Sequence, residues 1–323
     1  MALSNRSEDG FVLVVVLWVL AILTVITLTF GRNAMMERRA AMLGIDHSQG
    51  MCMARGAVER GIVEVRNKAI VDELWEQAGY TGLNQQLFKT VNLLKDEEYF
   101  SLANDPDFKG EVCSYEVFDE ESRISINKAD EELLGHIEDL DRKTVSDILQ
   151  YRKQRARGMK EVDPRSLYGA FTTIEEVQTL FEIEDSRWYG SGGKPGIRDV
   201  LTLWGDEKIN INTASVEVLC CLPDLDPAVA AAIVEYRLGM DGKIGTGDDR
   251  AFAAVAQVVA ELGLSPDQAA PLLKYCKVDS EFFTIRGFAT RRQSKVRVSC
   301  SATVVSTGGT VALLRWQEGA VGS

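Results

Sequence analysis

Histidine is nearly missing from this chain: His47 and His136 are the two in 323 residues. The six cysteines (Cys52, Cys113, Cys220, Cys221, Cys276 and Cys300) include no C-x-x-C pair, so the usual ligand sets of a zinc site are absent. Neither histidine has a nucleophile and an acid in its context, and no catalytic constellation can be assembled, which argues against an enzyme. The pattern G-x-x-x-x-G-K-[ST] is absent too, so the glycine-rich stretch Tyr189 to Gly196 (YGSGGKPG) reads as a flexible loop rather than a phosphate cradle. Positive charge is in deficit, with 36 Lys and Arg against 48 Asp and Glu, a formal net charge of -12. The phosphate backbone rewards a basic face, so a general nucleic-acid binder is excluded and only a local patch is left open. A hydrophobic share of 46% excludes a disordered chain.

One stretch lacks charge altogether. Phe11 to Phe30 (FVLVVVLWVLAILTVITLTF) is 20 residues without Asp, Glu, Lys, Arg or His. As a helix it is about 30 Å long, the thickness of a bilayer's hydrocarbon core. It exceeds the apolar region of an ordinary signal peptide, and no A-x-A cleavage site follows, so it is expected to stay in the mature protein. From Arg32 to about Ala78 apolar residues recur every three or four positions, among them Met51, Ala54, Val58, Ile62 and Val65, which predicts an amphipathic helix continuous with the apolar one. Arg32, Arg38 and Arg39 flank the apolar run, and by lysine and arginine counting alone they would hold the body in the cytoplasm.

Beyond a loop from Gly79 to Pro106 with a short helix around Gln85 to Leu94, Glu111–Phe118 and Ser122–Ile126 read as strands of a hairpin turning at Asp119–Glu121. Strand alternation returns at Glu281–Thr290, Lys295–Ser306 and Thr310–Trp316. The basic residues there (Arg286, Arg291, Arg292, Lys295, Arg297) read as solvent-face and edge-strand charges. Cys113 and Cys300 both fall in these strands. They are buried free thiols or, if the body lies in an oxidising compartment, the first candidates for a disulfide.

Between the two sets of strands the sequence repeats. Ile124–Arg152 aligns without a gap on Ile209–Arg237 at an offset of 85, matching Asn127 to Asn212, Ala129 to Ala214, Leu140-Asp141 to Leu225-Asp226 and Tyr151-Arg152 to Tyr236-Arg237. A second match, AFTTIEEVQTLF from Ala170 against AFAAVAQVVAEL from Ala251, follows each copy. One unit of helix, hairpin, helix, loop and helix is therefore used twice. Asn127 and Asn212 stand where an N-cap of the first helix is expected. Trp188, Tyr189 and Trp204 read as core aromatics. The fold class is α+β: a long N-terminal helix and one antiparallel sheet, split by an all-α insert. In the second copy the loop Asp241–Asp249 (DGKIGTGDD) sets three carboxylates among three glycines. Asp241, Asp248 and Asp249 are candidate calcium ligands, because calcium takes six to eight oxygens from carboxylates and tightly turned backbone; the EF-hand spacing is absent.

The start of the chain, MALSNRSEDG ending at Gly10 with Phe11 opening an apolar helix, resembles the processing site of type IV pilins and pseudopilins. Most such sequences carry Glu at the fifth mature residue, here Val15. K-type minor pseudopilins of type II secretion systems characteristically lack it, and their duplicated helical domain is similar to the repeat found here. The resemblance implies a leader over residues 1–10, cleavage by a prepilin peptidase after Gly10 and N-methylation of Phe11. It further implies a transmembrane helix over 11–30, pilin-like helix and first strands over 31–126, an inserted helical domain over 127–278 (repeats at about 124–188 and 209–268) and the remaining strands over 279–323. The implied role is that of a non-enzymatic subunit beginning or capping a pseudopilus. Its partners would be the I-type and J-type minor pseudopilins, with a single pass through the inner membrane and, against the arginine count, a periplasmic body. No nucleic-acid partner is implied.

The repeat also resembles the helix-hairpin-helix of DNA-binding and competence proteins, which grips phosphate through a small Gly-x-Gly turn. The alternative function is thus a membrane-tethered DNA-uptake protein. The turns here read Glu138-Asp139-Leu140-Asp141 and Pro223-Asp224-Leu225-Asp226, acidic where that grip needs glycine and positive charge.

Overall fold

A computed structural model of the chain describes residues 6–77, 91–93, 111–158, 169–242, 248–292 and 294–320. Helix α1 (Arg6–Gln77) joins the apolar and amphipathic stretches without a break over 72 residues. Its first half is rich in β-branched residues, which are indifferent helix formers in water. The threonine hydroxyls there are satisfied inside the helix: Thr24, Thr27 and Thr29 donate to the carbonyls of Leu20, Leu23 and Val25 at 2.7, 2.8 and 2.7 Å. Such self-satisfaction suits surroundings without water. The apolar segment is wholly exposed, and continuous burial of one face begins only at Gly50, with Met51, Ala54, Ala57, Val58 and Val65 turned inward.

Those residues pack on a five-stranded antiparallel sheet. Its strands are β1 (Val91–Asn92), β2 (Val112–Asp119) and, after a long excursion, the last three of the chain. The helix expected near Gln85–Leu94 lies mostly outside the described residues, and where Val91–Asn92 is described it is strand. After β2 come a 3₁₀ turn (Glu120–Ser122), β3 (Ile124–Ser125), α2 (Glu131–Leu134), α3 (Arg142–Gly158), α4 (Glu175–Leu180), α5 (Asp185–Trp188), α6 (Ile197–Val200) and β4 (Leu201–Thr202). The second copy follows as β5 (Ile209–Asn210), α7 (Val216–Leu219), α8 (Pro227–Arg237), α9 (Val255–Glu261), α10 (Pro266–Tyr275) and β6 (Cys276–Lys277). The sheet is completed by β7 (Phe282–Thr290), β8 (Arg297–Thr307) and β9 (Thr310–Ala320), in the order β1-β2-β7-β8-β9.

Alternation decides the sheet's faces. Cys113, Tyr115 and Val117 of β2, Phe283, Ile285 and Ala289 of β7 and Val298, Cys300, Ala302 and Val304 of β8 share a core with α1. Contact is close because glycines meet there. A Cβ on Gly287 would stand 2.4 Å from the Ala54 carbonyl oxygen, and one on Gly61 would stand 2.5 Å from Ile285. The insert has its own core, running from Ile124 to Cys276.

Two expectations are corrected here. The hairpin of 111–118 with 122–126 does not form: β2 pairs antiparallel with β7, and β3 pairs in parallel with β4, Ile124 opposite Leu201. The 3₁₀ turn, capped by the Asp119 side chain on the Glu121 N–H, sends the chain out of the sheet instead of back along it. Cys113 and Cys300 do not meet either. They oppose Ala289 and Gly287 on the two sides of β7, so two strand spacings of about 4.8 Å separate them, beyond the reach of a disulfide. All six thiols are free.

Candidate functional site

The repeated residues form one construction used twice. Asn127 and Asn212 are buried staples rather than caps. Asn212 Nδ2 donates to the Phe252 and Val278 carbonyls, both at 2.9 Å, and its Oδ1 accepts from the Phe252 N–H at 2.8 Å. Asn127 does the same with the Phe171 carbonyl (3.1 Å), the Leu203 carbonyl (3.0 Å) and the Phe171 N–H (2.9 Å). Capping falls three residues later, where Asp130 and Ser215 accept from the Leu133 and Val218 N–H groups. The matched Tyr-Arg pairs close the unit. Tyr151 stacks on Phe171 at 5.0 Å and Tyr236 on Phe252 at 4.6 Å. Arg237 donates to the Ile211 and Ala214 carbonyls at 2.7 and 2.8 Å, and burial pulls its pKa down to about 10. Each copy ends on a parallel strand pair, β3 with β4 and β5 with β6.

Each hairpin turn places an aspartate where the backbone favours glycine. Asp139 and Asp224 take left-handed φ of 66° and 58°, a conformation glycine adopts without cost. The N–H groups at the start of the next helix are already engaged: Asp141 accepts from Thr144 N at 2.8 Å and Asp226 from Ala228 N at 2.8 Å. The Thr144 backbone bond leads the causes that hold the Asp141 carboxyl below its ordinary value.

With this geometry in view the known proteins can be compared. A family model described as "Helix-hairpin-helix motif" matches residues 205–240, the second hairpin. No curated protein matches the chain. A chain from the crystal structure of the GspK-GspI-GspJ complex of the enterotoxigenic Escherichia coli Type 2 Secretion System aligns with a TM-score of 0.52, covering 87% of this chain and 99% of that one at 12% identity. The likeness is one of fold. At 87% of this chain it is too extensive to rest on the helical insert or on the sheet alone.

The remaining expected site residues fall as follows. Gly10 and Phe11 lie within α1, with the Phe11 ring exposed. Asp248 Oδ2 accepts from the Met240 and Asp241 N–H groups at 2.6 and 3.1 Å, and Gly239, with φ of 65°, lets the chain pass close to it. Residues 243–247 of that loop are outside those described, and among the described residues no group of three or more His, Cys, Asp or Glu side chains is placed to hold a metal. Trp188 and Trp204 are buried as expected, whereas Tyr189 is exposed.

Sequence reasoning missed a polar seam that fixes the insert to the sheet. Asp119, at the end of β2, is fully enclosed. Its carboxylate accepts from Asn210 (3.1 Å), Ser280 (2.7 Å), the Glu121 N–H (2.8 Å) and Thr213. Burial outweighs these bonds and raises its pKa. Glu121 accepts from Lys277 Nζ at 2.7 Å and from the Glu281 N–H at 2.6 Å, and burial raises its pKa as well. Three consecutive acids read as a solvated turn; nothing local announces that their donors lie some 90 to 160 residues ahead. The copies differ here, since Asn210 of the second binds Asp119 while its counterpart Ser125 is buried with no partner for its hydroxyl among the described residues. Beside the seam, a cleft of about 930 Å³ opens between the insert and the outer sheet face.

Proposed function

We propose that this chain is a K-type minor pseudopilin that begins or caps the pseudopilus of a type II secretion system. The observation that carries this reading is where the insert sits. Along α1, Gly50 lies against Val298 at one end of the sheet and Gly61 against Ile285 further up, while the insert leaves β2 at Asp119 and returns at Phe282, at the opposite end. The insert therefore stands at the far end of the body from the apolar segment, where a further subunit of a helical filament would have to add. An exposed apolar and amphipathic helix on one side, with an obstructed end on the other, suits a terminal subunit.

The reading includes cleavage after Gly10, N-methylation of Phe11, a single pass through the inner membrane by residues 11–30 and a periplasmic body. Its partners would be the I-type and J-type minor pseudopilins, as in the complex that shares the fold. Val15 supports it, since an uncharged position there suits a subunit with no neighbour to recruit. The test is mass analysis after co-expression with a prepilin peptidase: a mature chain beginning at Phe11 is expected, and one still beginning at Met1 refutes the processing. Co-purification with I-type and J-type pseudopilins is expected; its loss on truncating the exposed half of α1, but not on deleting the insert, would support packing through the helix.

Calcium at Asp241, Asp248 and Asp249 belongs to the same reading. A bound cation would tie the loop's carboxylates together, adding to the two backbone N–H bonds that Asp248 accepts. A second reading, a membrane-tethered DNA-binding protein, is favoured by the helix-hairpin-helix match alone. It predicts a salt-dependent shift of duplex DNA. Aspartates at both turns work against it.

A further inference from the structure

The outer sheet face, opposite α1, is roofed along one margin by the insert, and the cleft of about 930 Å³ lies between them. That volume is near the top of the range of about 300–1,000 Å³ taken by ligand pockets. Across its floor runs the cross-strand row Glu116, Arg286, Ser301 and Gln317.

The charged groups around it are largely committed. Arg123 pairs with Glu120 at 3.7 Å and Arg198 with Glu175 at 3.6 Å. Asp199 accepts from the Gly196 N–H at 2.9 Å, and Arg315 donates to the Thr172 carbonyl at 3.3 Å. Arg286 is the exception. It is exposed, its guanidinium lies over the Phe118 ring at 4.5 Å from the centroid, and among the described residues it makes no hydrogen bond or ion pair, not even with Glu116 opposite.

A guanidinium over a ring face spends no N–H donor in a hydrogen bond there, and its fork of donors matches a carboxylate. Neighbouring donors extend the match. Ser301 lies one strand along the row, at about 4.8 Å, and Gln317 one further. Gln317 lines the cleft too, and in the amide orientation that satisfies both groups its oxygen accepts from the Arg315 guanidinium at 2.8 and 3.3 Å. The space is too large for a lone carboxylate, and the acids in its wall, Glu116 opposite Arg286 among them, limit the ligand to a few negative charges rather than the dense charge of a polyphosphate.

We propose that this cleft receives an acidic polypeptide segment of a partner protein, one carboxylate of which is held by Arg286 with Ser301 and Gln317 beside it. The inference does not depend on the filament reading.

The probe is a fluorescein-labelled octapeptide of serine and threonine with two central glutamates and an amidated C-terminus, titrated by anisotropy with the full chain in detergent. Saturable binding that weakens with salt is expected, lost when glutamine or lysine replaces the glutamates. Arg286→Gln should weaken it tenfold or more and Arg286→Lys less, while Arg297→Gln, on the same sheet outside the cleft, leaves it unchanged. Thermal melts of each variant separate lost binding from lost folding. No binding of the peptide, or undiminished binding by a folded Arg286→Gln variant, overturns the proposal. So does equal affinity for free glutarate, which would make the ligand a small carboxylate, or competition by duplex DNA, which would make it a phosphate.

Discussion

Replacing Asn212 decides between a cap and a staple. As an N-cap, asparagine exchanges with aspartate or serine at almost no cost, and alanine costs about 1 kcal/mol. As observed, Asn212 uses one oxygen and two N–H bonds to satisfy three backbone groups, the Phe252 N–H and carbonyl and the Val278 carbonyl, at 2.8 to 2.9 Å in a fully buried position. A buried group left without its partner costs about 1–3 kcal/mol, less where water can enter, so Asn212→Ala should cost about 3 kcal/mol. Asn212→Asp should be at least as severe, because a buried carboxylate would then face two carbonyl oxygens. Ser215→Ala, which removes the actual cap, should cost about 1 kcal/mol. The assay is urea unfolding of the full chain in mild detergent, followed by the fluorescence of the buried Trp188, with hydrogen exchange at the Phe252 amide as a local readout. A cost below about 0.5 kcal/mol for Asn212→Asp, with Phe252 still protected, would refute the staple.

Four further outcomes are expected. Asp119 holds its proton to higher pH in the folded state than in the unfolded chain, so its contribution is complete below about pH 4 and falls as pH rises through the raised value. Urea midpoints followed upward from about pH 4 should therefore drop for the wild type relative to Asp119→Asn, and parallel profiles would contradict this. Six thiols should titrate in the unfolded, unreduced protein, whereas in the folded protein the exposed Cys52 and Cys220 should react first. Cys113 and Cys300, whose pKa burial pushes up to about 11, should lag, and fewer than six thiols would show a disulfide. Gly287→Ala forces α1 off β7 and should cost about 1–3 kcal/mol, seen as a lower melting temperature and faster proteolysis near Ala54. Calcium added to chelated protein should raise the melting temperature by several degrees; Asp249→Ala should abolish the rise, and no rise in the wild type would remove calcium from the proposal.

Much of the fold was legible because its signals are local and periodic. The uncharged run from Phe11, the three- and four-residue spacing from Met51 to Val65 and the alternation in β7, β8 and β9 each report one face of one element. The duplication was legible because both copies solve the same packing problem with the same side chains at one offset. The roles within it were less so. Asn127 and Asn212 stand just ahead of a helix, and only the folded chain brings Phe171 and Phe252 within reach of them. The supposed hairpin failed for a related reason: strand propensity says that a segment pairs, not with what, and β3 finds its partner at Leu201.

By itself the sequence determined the long helix, the strands of the last third and the repeat, and that one helix carries a span long and apolar enough to cross a membrane. Those properties depend on side-chain periodicity and on the length of an apolar run, both carried by neighbouring residues. Tertiary structure alone decided that Asp119 and Glu121 are buried seam residues, that Cys113 and Cys300 stand on two sides of one strand, and that Arg286 lines a cleft between sheet and insert. Each of those depends on residues far apart in the chain meeting in space, which no local pattern records.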